Sequence, residues 1–353
     1  MRDPAFWWVE RSAAATLLAP AGASYGAIAA WRMAQPGRRA PVPAICVGNF
    51  TLGGAGKTPT AVALARILLA AGHHPFFLSR GYGGRVTGPV RVANQRADEI
   101  GDEPLLLGRV APTVVARRRP AGVLMAVEGG ADAVIMDDGL QNPSVAKDLA
   151  IAVVDGRRGI GSGHIFPAGP LRAPLRVQLD HVDAVFLVGS AGRSAERAVD
   201  AAQKRGVPVF HGELRPAADA VRALAGQPVL AFAGIADPEK FFATLEAYGI
   251  QATIRKSFPD HHRYRADEAT ALMACAKRDG LALVTTEKDM VRMRGDLAAF
   301  DLMRQTTVLP VTLTFTDPIA VEALLQAAMR PPTPPHHILI NAPDTAAGAR
   351  RQG

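Results

Sequence analysis

The stretch Pro43 to Thr60, PAICVGNFTLGGAGKTPT, decides the fold of this chain. It begins with the apolar run Ala44 to Val47, which predicts a strand buried on both faces of a parallel sheet. Glycines follow, and Lys57 and Thr58 stand directly before a helical pattern of apolar residues. Strand, glycine-rich loop, lysine, hydroxyl and helix in this order are typical of a loop that binds nucleotide phosphates.

The chemistry of phosphate binding explains this order of residues. Backbone N–H groups can close around a triphosphate where residues lack a β carbon, and a helix N-terminus adds partial positive charge. Lys57 is expected to reach the β- and γ-phosphates, and the Thr58 hydroxyl to ligate magnesium. The predicted nucleotide-binding residues are Thr51, Leu52, Gly53, Gly54, Ala55, Gly56, Lys57 and Thr58.

One position departs from the pattern G-x-x-x-x-G-K-[ST]. Thr51 stands where the first glycine is expected, although Gly53 and Gly54 add flexibility inside the loop. The alternative is an ordinary glycine-rich turn before a helix. The strand before the loop and the helix after it favour the phosphate loop.

A second apolar run ends in two acids. Residues 133–136 predict a strand, and Asp137 and Asp138 follow it directly. Adjacent carboxylates at the end of a buried strand repel each other unless a cation lies nearby. We therefore predict that Thr58, Asp137 and Asp138 hold Mg²⁺, and the alternative is a solvated Asp-Gly turn.

Two further polar motifs are ambiguous when taken alone. Asp102 in the sequence GDEP is expected in the first turn of a helix, where helix capping would explain an acid. His261 and His262 form a pair in the sequence FPDHH, and a surface loop would explain them equally well. Neither motif establishes a reaction without further context.

Composition narrows the class of protein. The 353 residues are 48% hydrophobic, which is enough for one large or two medium domains with real cores. The net charge of +8 favours an anionic partner, but scattered Lys and Arg without a recognisable module place nucleic acid last. Cys46 and Cys275 are predicted to be buried thiols of a reducing compartment.

The N-terminal segment is predicted to associate with a membrane. Residues 12–31 carry no charge, but Pro20 and two glycines lower their hydrophobicity. Tryptophans and arginines flank the run, as is typical of a helix at headgroup depth. An interfacial anchor is therefore favoured over a docked soluble helix pair or a true membrane span.

The order of elements predicts an α/β fold, a P-loop NTPase-like doubly wound and mainly parallel sheet. A smaller C-terminal α/β region with a last strand at residues 308–315 is expected to follow. The predicted divisions are an N-terminal membrane-associating segment (1–40), a nucleotide-binding kinase domain (41–223), a C-terminal α/β region (224–329) and a disordered tail (330–353).

Seven separated motifs resemble those of the tetraacyldisaccharide 4′-kinase family, which acts in lipid A biosynthesis in Gram-negative bacteria. The motifs are GNFTLGGAGKTP, SRGYGG, GDEP, DDGLQ, FPAGPLR, FPDHH and TTEKD. The resemblance spans residues 6–327 in the family's order. It implies ATP-dependent phosphorylation of the 4′-hydroxyl of tetraacyldisaccharide 1-phosphate, giving lipid IVA at the cytoplasmic face of the inner membrane.

The resemblance also implies site residues. In the family the Asp of GDEP is the catalytic base, paired with a histidine; these positions are Asp102 and His261, with Lys57 at the nucleotide phosphates. Asp137 and Asp138 match its magnesium-associated pair. Which histidine orients the base stays open. Ala173 follows Arg172 where the family often carries an acid.

The resemblance leaves the binding of the substrate phosphate open. Candidate arginines are Arg80, Arg117, Arg118, Arg157, Arg172 and Arg176. The expected partners are the lipid A disaccharide precursor and the membrane surface. No nucleic acid and no obligate protein partner are predicted.

A nucleotide-driven switch protein at the membrane surface is the alternative function. A phosphate loop and a strand-end Asp occur in metal-delivery GTPases and partitioning ATPases as well as in kinases. The sequence has no Cys/His metal-delivery cluster and no Asn-Lys-x-Asp guanine motif, so ATP is the expected nucleotide.

Overall fold

The strand at the start of the phosphate-binding motif lies at the centre of a nine-stranded sheet. The computed structural model describes residues 3–330; the predicted tail lies outside the described residues except for Arg330. In chain order, the thirteen strands that it defines are β1 Ala44–Asn49, β2 Pro75–Ser79, β3 Val90–Arg91, β4 Thr113–Val115, β5 Ala133–Asp137, β6 Leu149–Asp155, β7 Ala184–Val188, β8 Val209–Pro216, β9 Val229–Ala233, β10 Ala252–Ser257, β11 Ala282–Thr286, β12 Thr306–Leu309 and β13 Val311–Phe315.

The larger sheet is parallel except at its two edges. Its strand order is β13-β8-β7-β6-β1-β5-β2-β4-β3, and the β13–β8 and β3–β4 pairs are antiparallel. β1 lies between β5 and β6, with Val47 opposite Asp137 in the ladder to β5. The carboxyl ends of these parallel strands therefore bring the phosphate loop and the DDG acids to one edge, where α/β sheets bind ligands.

Four strands form a separate parallel sheet in the order β10-β9-β11-β12. The predicted α/β fold with a second, smaller α/β region is thus confirmed. Both sheets are flanked by helices. The α-helices within residues 3–330 are α1 Ala13–Met33, α2 Lys57–Ala70, α3 Ala97–Ile100, α4 Asp102–Leu107, α5 Arg119–Glu128, α6 Leu175–Leu179, α7 Arg193–Gln203, α8 Ala218–Leu224, α9 Pro238–Ala247, α10 Ala266–Asp279, α11 Glu287–Met293, α12 Phe300–Gln305 and α13 Pro318–Met329.

Each sheet buries apolar side chains on both faces. In the larger sheet, alternate β1 residues enter opposite cores, with Cys46 on one face and Ile45 and Val47 on the other. The smaller sheet has its own two cores. Cys46 is fully buried as predicted, whereas Cys275 on α10 is only half-buried, so its predicted burial is wrong.

The single last strand predicted at residues 308–315 is wrong. Pro310 divides it, and the two halves join different sheets: β12 extends the smaller sheet, while β13 pairs with β8 of the larger one. Proline lacks the N–H that a continuous strand needs. Helix α13 then packs against the larger sheet through Val321 and Leu325.

The smaller sheet and its helices therefore form an insert within the larger α/β unit, which we call the insert (residues 217–310). Leu224 at the end of α8 belongs to the core of the smaller sheet. The predicted C-terminal region of 224–329 does not coincide with this insert: it begins at the last residue of α8, and it includes β13 and α13, which pack with the larger sheet.

Helix α1 has two unlike faces. Ala15, Gly22, Gly26 and Met33 recur on one side of the helix and are buried. A β carbon on Gly22 would lie 2.8 Å from the backbone oxygen of Ile165, so only glycine allows this close approach to the loop of residues 159–176.

The opposite face of α1 carries Leu17, Ile28 and Trp31, which are 81%, 60% and 66% exposed. Among residues 3–330, α1 is the one helix long and apolar enough to cross a membrane by length and composition. The N-terminal apolar helix is thus compatible with membrane association.

Candidate active site

The phosphate loop (residues 51–58) connects β1 to α2. Gly56 caps the helix in the left-handed region at φ 93°, a conformation that side chains with a β carbon rarely adopt. Helix α2 then begins at Lys57, so its free N–H groups face the loop as anion-binding donors.

The Lys57 ammonium lies inside this loop. Its Nζ is 3.3 Å from Asn49 Oδ1 and 3.5 Å from the Gly53 carbonyl, and 3.8 Å from Asp138 Oδ2. These partners hold the side chain along the loop rather than toward bulk solvent. A lysine in this position can meet the β- and γ-phosphates of a nucleotide.

Thr51, the position that departs from the pattern, has a structural use. It forms an isolated antiparallel bridge with Leu171, and its carbonyl accepts a hydrogen bond from Arg172 Nε over 2.8 Å. The Leu52 N–H donates to the Pro170 carbonyl over 2.8 Å. The start of the phosphate loop is thus attached to the 159–176 loop, an arrangement suited to extended backbone.

Asp137 and Thr58 lie together at the end of β5. The Thr58 hydroxyl donates to Asp137 Oδ2 over 3.3 Å. The other oxygen, Oδ1, is buried and has no hydrogen-bond partner among the described residues. Burial raises the pKa of Asp137 to about 7, with the Glu103 and Asp138 charges adding to the rise and Lys57 opposing it.

This pair fits a magnesium ion. Mg²⁺ commonly takes one or two protein oxygens and completes its shell with water and substrate phosphates. The unpaired Asp137 oxygen beside the Thr58 hydroxyl offers such ligands. Within residues 3–330 no three His, Cys, Asp or Glu side chains form a metal cluster, so water and phosphate oxygens would complete the shell.

Asp138 turns to a different partner. Arg172 Nη1 and Nη2 donate to its two oxygens over 2.8 and 3.0 Å, and its backbone is left-handed at φ 56°. Burial would raise the pKa of Asp138, but the charges of Lys57 and Arg172 hold it well below its usual range. Asp138 is therefore ionised and tied to two cations.

Asp102 and His261 form the second group of predicted site residues. Asp102 is 2% exposed in the first turn of α4, and His261 Nδ1 from the insert lies 3.3 Å from its Oδ1. Burial would raise the pKa of Asp102, but the hydrogen bond from His261 and the charges of Arg292 and Lys288 hold it well below its usual range. The same hydrogen bond raises the pKa of His261 against its burial.

The two adjacent histidines have different environments. The His262 Nε2 lies 2.8 Å from Glu268 Oε2, and its ring stacks on Phe258. His261 instead faces Asp102, with its ring 5.1 Å from that of Tyr82. Of the two, only His261 contacts the carboxylate of GDEP in the described structure.

Helix α11 supplies two cations that the sequence analysis did not select. Lys288 Nζ donates to Glu103 Oε1 over 2.8 Å, and Arg292 Nε donates to Asp102 Oδ2 over 2.8 Å. Their spacing of four residues places both on one helix face, opposite the two consecutive acids of GDEP. The four-residue spacing of Lys288 and Arg292 is visible in the sequence from TTEKD onward. Nothing in that part of the sequence identifies Asp102 and Glu103 as their partners.

Gln141 and Gln178 were also missed. Gln141, the last residue of DDGLQ, donates to the Asn49 carbonyl over 2.8 Å and to Gln178 Oε1 over 2.7 Å. The fully buried Gln178 donates to the carbonyls of Phe50 and Ala173. These amides fix the backbone on both sides of the phosphate loop.

The two groups of site residues are electrostatically linked. Glu103 follows Asp102 directly, and its charge is among the causes that raise the pKa of Asp137. Lys288 acts in the opposite direction on both Asp102 and Asp137. The group around Lys57 and the group around Asp102 therefore lie near enough for their charges to interact.

Comparison with known proteins assigns the family. The profile described as "Tetraacyldisaccharide-1-P 4'-kinase" matches residues 14–330. This chain belongs to the tetraacyldisaccharide-1-P 4′-kinase family. A relative named tetraacyldisaccharide 4′-kinase from Methylobacterium nodulans is 55% identical, with 95% of this chain and 98% of that protein covered. One from Bradyrhizobium sp. is 51% identical, with 92% and 94% covered.

A solved member of the kinase family has the same fold. The crystal structure of LpxK from Aquifex aeolicus in complex with ATP matches with a TM-score of 0.70 at 25% identity. The match covers 90% of this chain and 99% of that one. A protein of this fold thus binds ATP, the nucleotide expected from the sequence.

Proposed function

We propose that this protein transfers the γ-phosphoryl group of ATP to the 4′-hydroxyl of tetraacyldisaccharide 1-phosphate and so forms lipid IVA. The observation that supports this most is that a phosphate loop lies within electrostatic reach of the buried Asp102 and its partner His261. Phosphoryl transfer requires the donor and the acceptor hydroxyl to be positioned together and their charge to be neutralised.

The donor side has the parts that hold a triphosphate. The loop amides and Lys57 would bind the β- and γ-phosphates, and Thr58 and Asp137 would hold Mg²⁺. When bound, the ion draws off charge that develops on the transferring group. The pairing of Asp138 with Arg172 favours a role in holding cations beside the phosphates over direct ligation of the metal.

The acceptor side has an ionised carboxylate. Asp102 would accept the proton of the 4′-hydroxyl, and His261 would orient that carboxylate. A strongly lowered pKa does not exclude this role, because a loose transition state requires little base strength and depends mainly on position. The carboxylate must be ionised and correctly directed, and the contacts of Asp102 supply both conditions.

The acyl chains of the substrate require a membrane surface. The exposed apolar face of α1 would lie in the interface, at the cytoplasmic side of the inner membrane. Its buried face attaches to the 159–176 loop, which in turn contacts the phosphate loop. A lipid held at α1 would thereby be kept close to the phosphate loop.

The test is transfer of labelled γ-phosphate to the purified acceptor in detergent micelles. The wild-type protein should phosphorylate the 4′-position, and Asp102→Asn should lower turnover by about two orders of magnitude while ATP affinity is retained. Asp267→Asn is the matched control, because Asp267 is an exposed acid in an ion pair with Arg265. Full turnover in Asp102→Asn would reject the assigned proton acceptor.

The same assay distinguishes the switch alternative. A switch protein would hydrolyse ATP without labelling the lipid. Absence of lipid phosphorylation by folded, ATP-binding protein would therefore reject the kinase function as a whole, whatever the behaviour of Asp102.

A further inference from the structure

Arg292 makes the closest contacts to Asp102 in the described structure. Both Nε and Nη2 of its guanidinium donate to the same carboxylate oxygen, Oδ2, with the Nε contact at 2.8 Å. The two side chains are 4% and 2% exposed, so water does not screen the pair. The contact joins α11 of the insert to α4 beside the larger sheet.

The Arg292 guanidinium is itself held in place by other residues of the insert. Arg292 Nη1 donates to the Gly234 carbonyl and to Asp289 Oδ1, the latter over 3.2 Å. Asp289 is fully buried and also accepts hydrogen bonds from Tyr264 and Thr286. Four of the five N–H donors of Arg292 are therefore occupied by groups of the protein and are not free to contact a substrate.

These contacts leave Asp102 with one replaceable partner. A carboxylate has about four lone-pair positions. Arg292 occupies those of Oδ2, and the Glu103 N–H donates to Oδ1 over 3.1 Å. The remaining contact is His261 Nδ1 at 3.3 Å from Oδ1, on the side that opens to a cavity lined also by Tyr82.

We propose that Arg292 is a positioning residue for phosphoryl transfer, which covers Oδ2 of Asp102 and so directs the reacting hydroxyl to Oδ1 beside His261. The inference rests on the proposed role of Asp102 as the proton acceptor. Arg292 itself touches neither the hydroxyl nor the nucleotide. In the transfer step the hydroxyl proton passes to Oδ1 as the hydroxyl oxygen bonds to phosphorus and the bond to the β-phosphate bridging oxygen breaks.

A buried ion pair is by itself weak evidence for a stabilising role. Desolvation of two charges commonly offsets their attraction, and apolar replacements of such pairs are often as stable. Orientation of a reactive group explains the network of Asp289, Arg292 and Asp102 better than stability does. Arg–carboxylate geometry has the directional rigidity that this requires.

The charged groups around Asp102 fix the direction of the pH effect. His261 faces it from the insert loop, Lys288 and Arg292 from α11, Glu103 from its own helix, and Asp98 lines the same cavity. Burial raises the pKa of Asp102 and the Arg292 charge lowers it, so removal of that charge must raise the pKa of Asp102. The acidic limb of kcat/KM must then move to higher pH.

The test compares Arg292→Met, Arg292→Lys and Arg278→Met in the full chain. Arg278 is the matched control, because its Nε and Nη2 also donate to one acid, Asp279, but on the exposed surface. We expect Arg292→Met to lower kcat by about 100-fold, with ATP affinity unchanged, and to move the acidic limb upward by about one to three pH units.

Arg292→Lys keeps the charge but not the planar fork. It should lower kcat by about tenfold while the acidic limb stays in place. This variant decides the matter alone if Arg292→Met does not fold. The inference is overturned if the Arg292 variants keep the kcat and pH profile of Arg278→Met while Asp102→Asn is inactive. If Asp102→Asn is itself active, the proposed proton acceptor fails instead.

Discussion

The backbone of His261 adopts the left-handed region at φ 57°, which few residues other than glycine adopt. The turn directs His261 toward Asp102 while the next side chain, His262, points back to Glu268 within the insert. Such strain persists only where surrounding contacts determine it, and it is frequent at functional sites. His261 thus joins Arg292 in connecting the insert to Asp102 of α4.

The titration of His261 tests this contact directly. Its pKa is raised by the hydrogen bond to Asp102, so the imidazolium form is favoured in the folded protein. The pair's contribution to stability is therefore fully present below about pH 6.5 and is lost as pH rises through the folded pKa. In Asp102→Asn the His261 pKa should fall, because burial then opposes the charge with less compensation.

NMR of the imidazole resonances measures the pKa of His261 in the wild-type protein and in Asp102→Asn. Glu268→Gln provides the control: Glu268 contacts His262 and not His261, so this change should leave the titration of His261 in place. An unchanged His261 pKa in Asp102→Asn would show that the two side chains do not interact in solution.

At the residue scale, the sequence predicts those groups whose partners lie nearby in the chain. Lys57 and Thr58 follow from a local motif, because strand, loop and helix are consecutive. Arg292 does not, since its partner is 190 positions earlier in the chain. Only the meeting of the insert with the larger sheet brings the two together, and no local pattern records that contact.

Among the elements, helix α1 has the clearest division between a packed face and an exposed face. Its small residues face the 159–176 loop, and its large apolar residues face outward. The composition of the sequence predicts an apolar N-terminal helix. Which face of that helix is buried depends on close packing against the folded 159–176 loop. The division at Pro310 was, by contrast, visible in the sequence as a proline inside a strand pattern.

The outward face of α1 predicts a membrane-binding phenotype. Leu17→Glu/Ile28→Glu should lower partitioning to phosphatidylethanolamine/phosphatidylglycerol vesicles by about tenfold or more, because two apolar side chains are lost from the interface. Thr16→Glu/Ala23→Glu adds the same charge on an adjacent exposed flank and should have a smaller effect. Co-sedimentation with vesicles compares them, and equal loss in both would contradict the assigned face.

In the whole molecule, ion pairs connect the insert to the larger α/β unit at two places. Asp237 of the insert pairs with Arg157 and Arg158, and Lys240 pairs with Asp155 at the end of β6. At the second place, Asp102 and Glu103 of α4 pair with Arg292 and Lys288 of α11. Nucleotide binding at the phosphate loop should therefore stabilise the insert as well as the larger sheet.

Thermal unfolding measures this linkage. At about 100 times its Kd, magnesium-ATP should add about 2.7 kcal/mol to the free energy of unfolding. Lys57→Met should remove most of this gain, because the loop loses its phosphate-binding cation. Lys204→Met, a change of an exposed lysine at the end of α7, should retain it. An equal ATP-induced rise in Lys57→Met would contradict the assignment of the nucleotide site.

The two crossings between the larger sheet and the insert are adjacent. Pro216 at the end of β8 lies opposite Val311 at the start of β13, and the Ala217 N–H donates to the Pro310 carbonyl over 2.9 Å. A hairpin turn of roughly two residues could close the gap if residues 217–310 were removed. Excision at this one place would thus remove His261 and Arg292 together, while the larger sheet keeps the register of its strands.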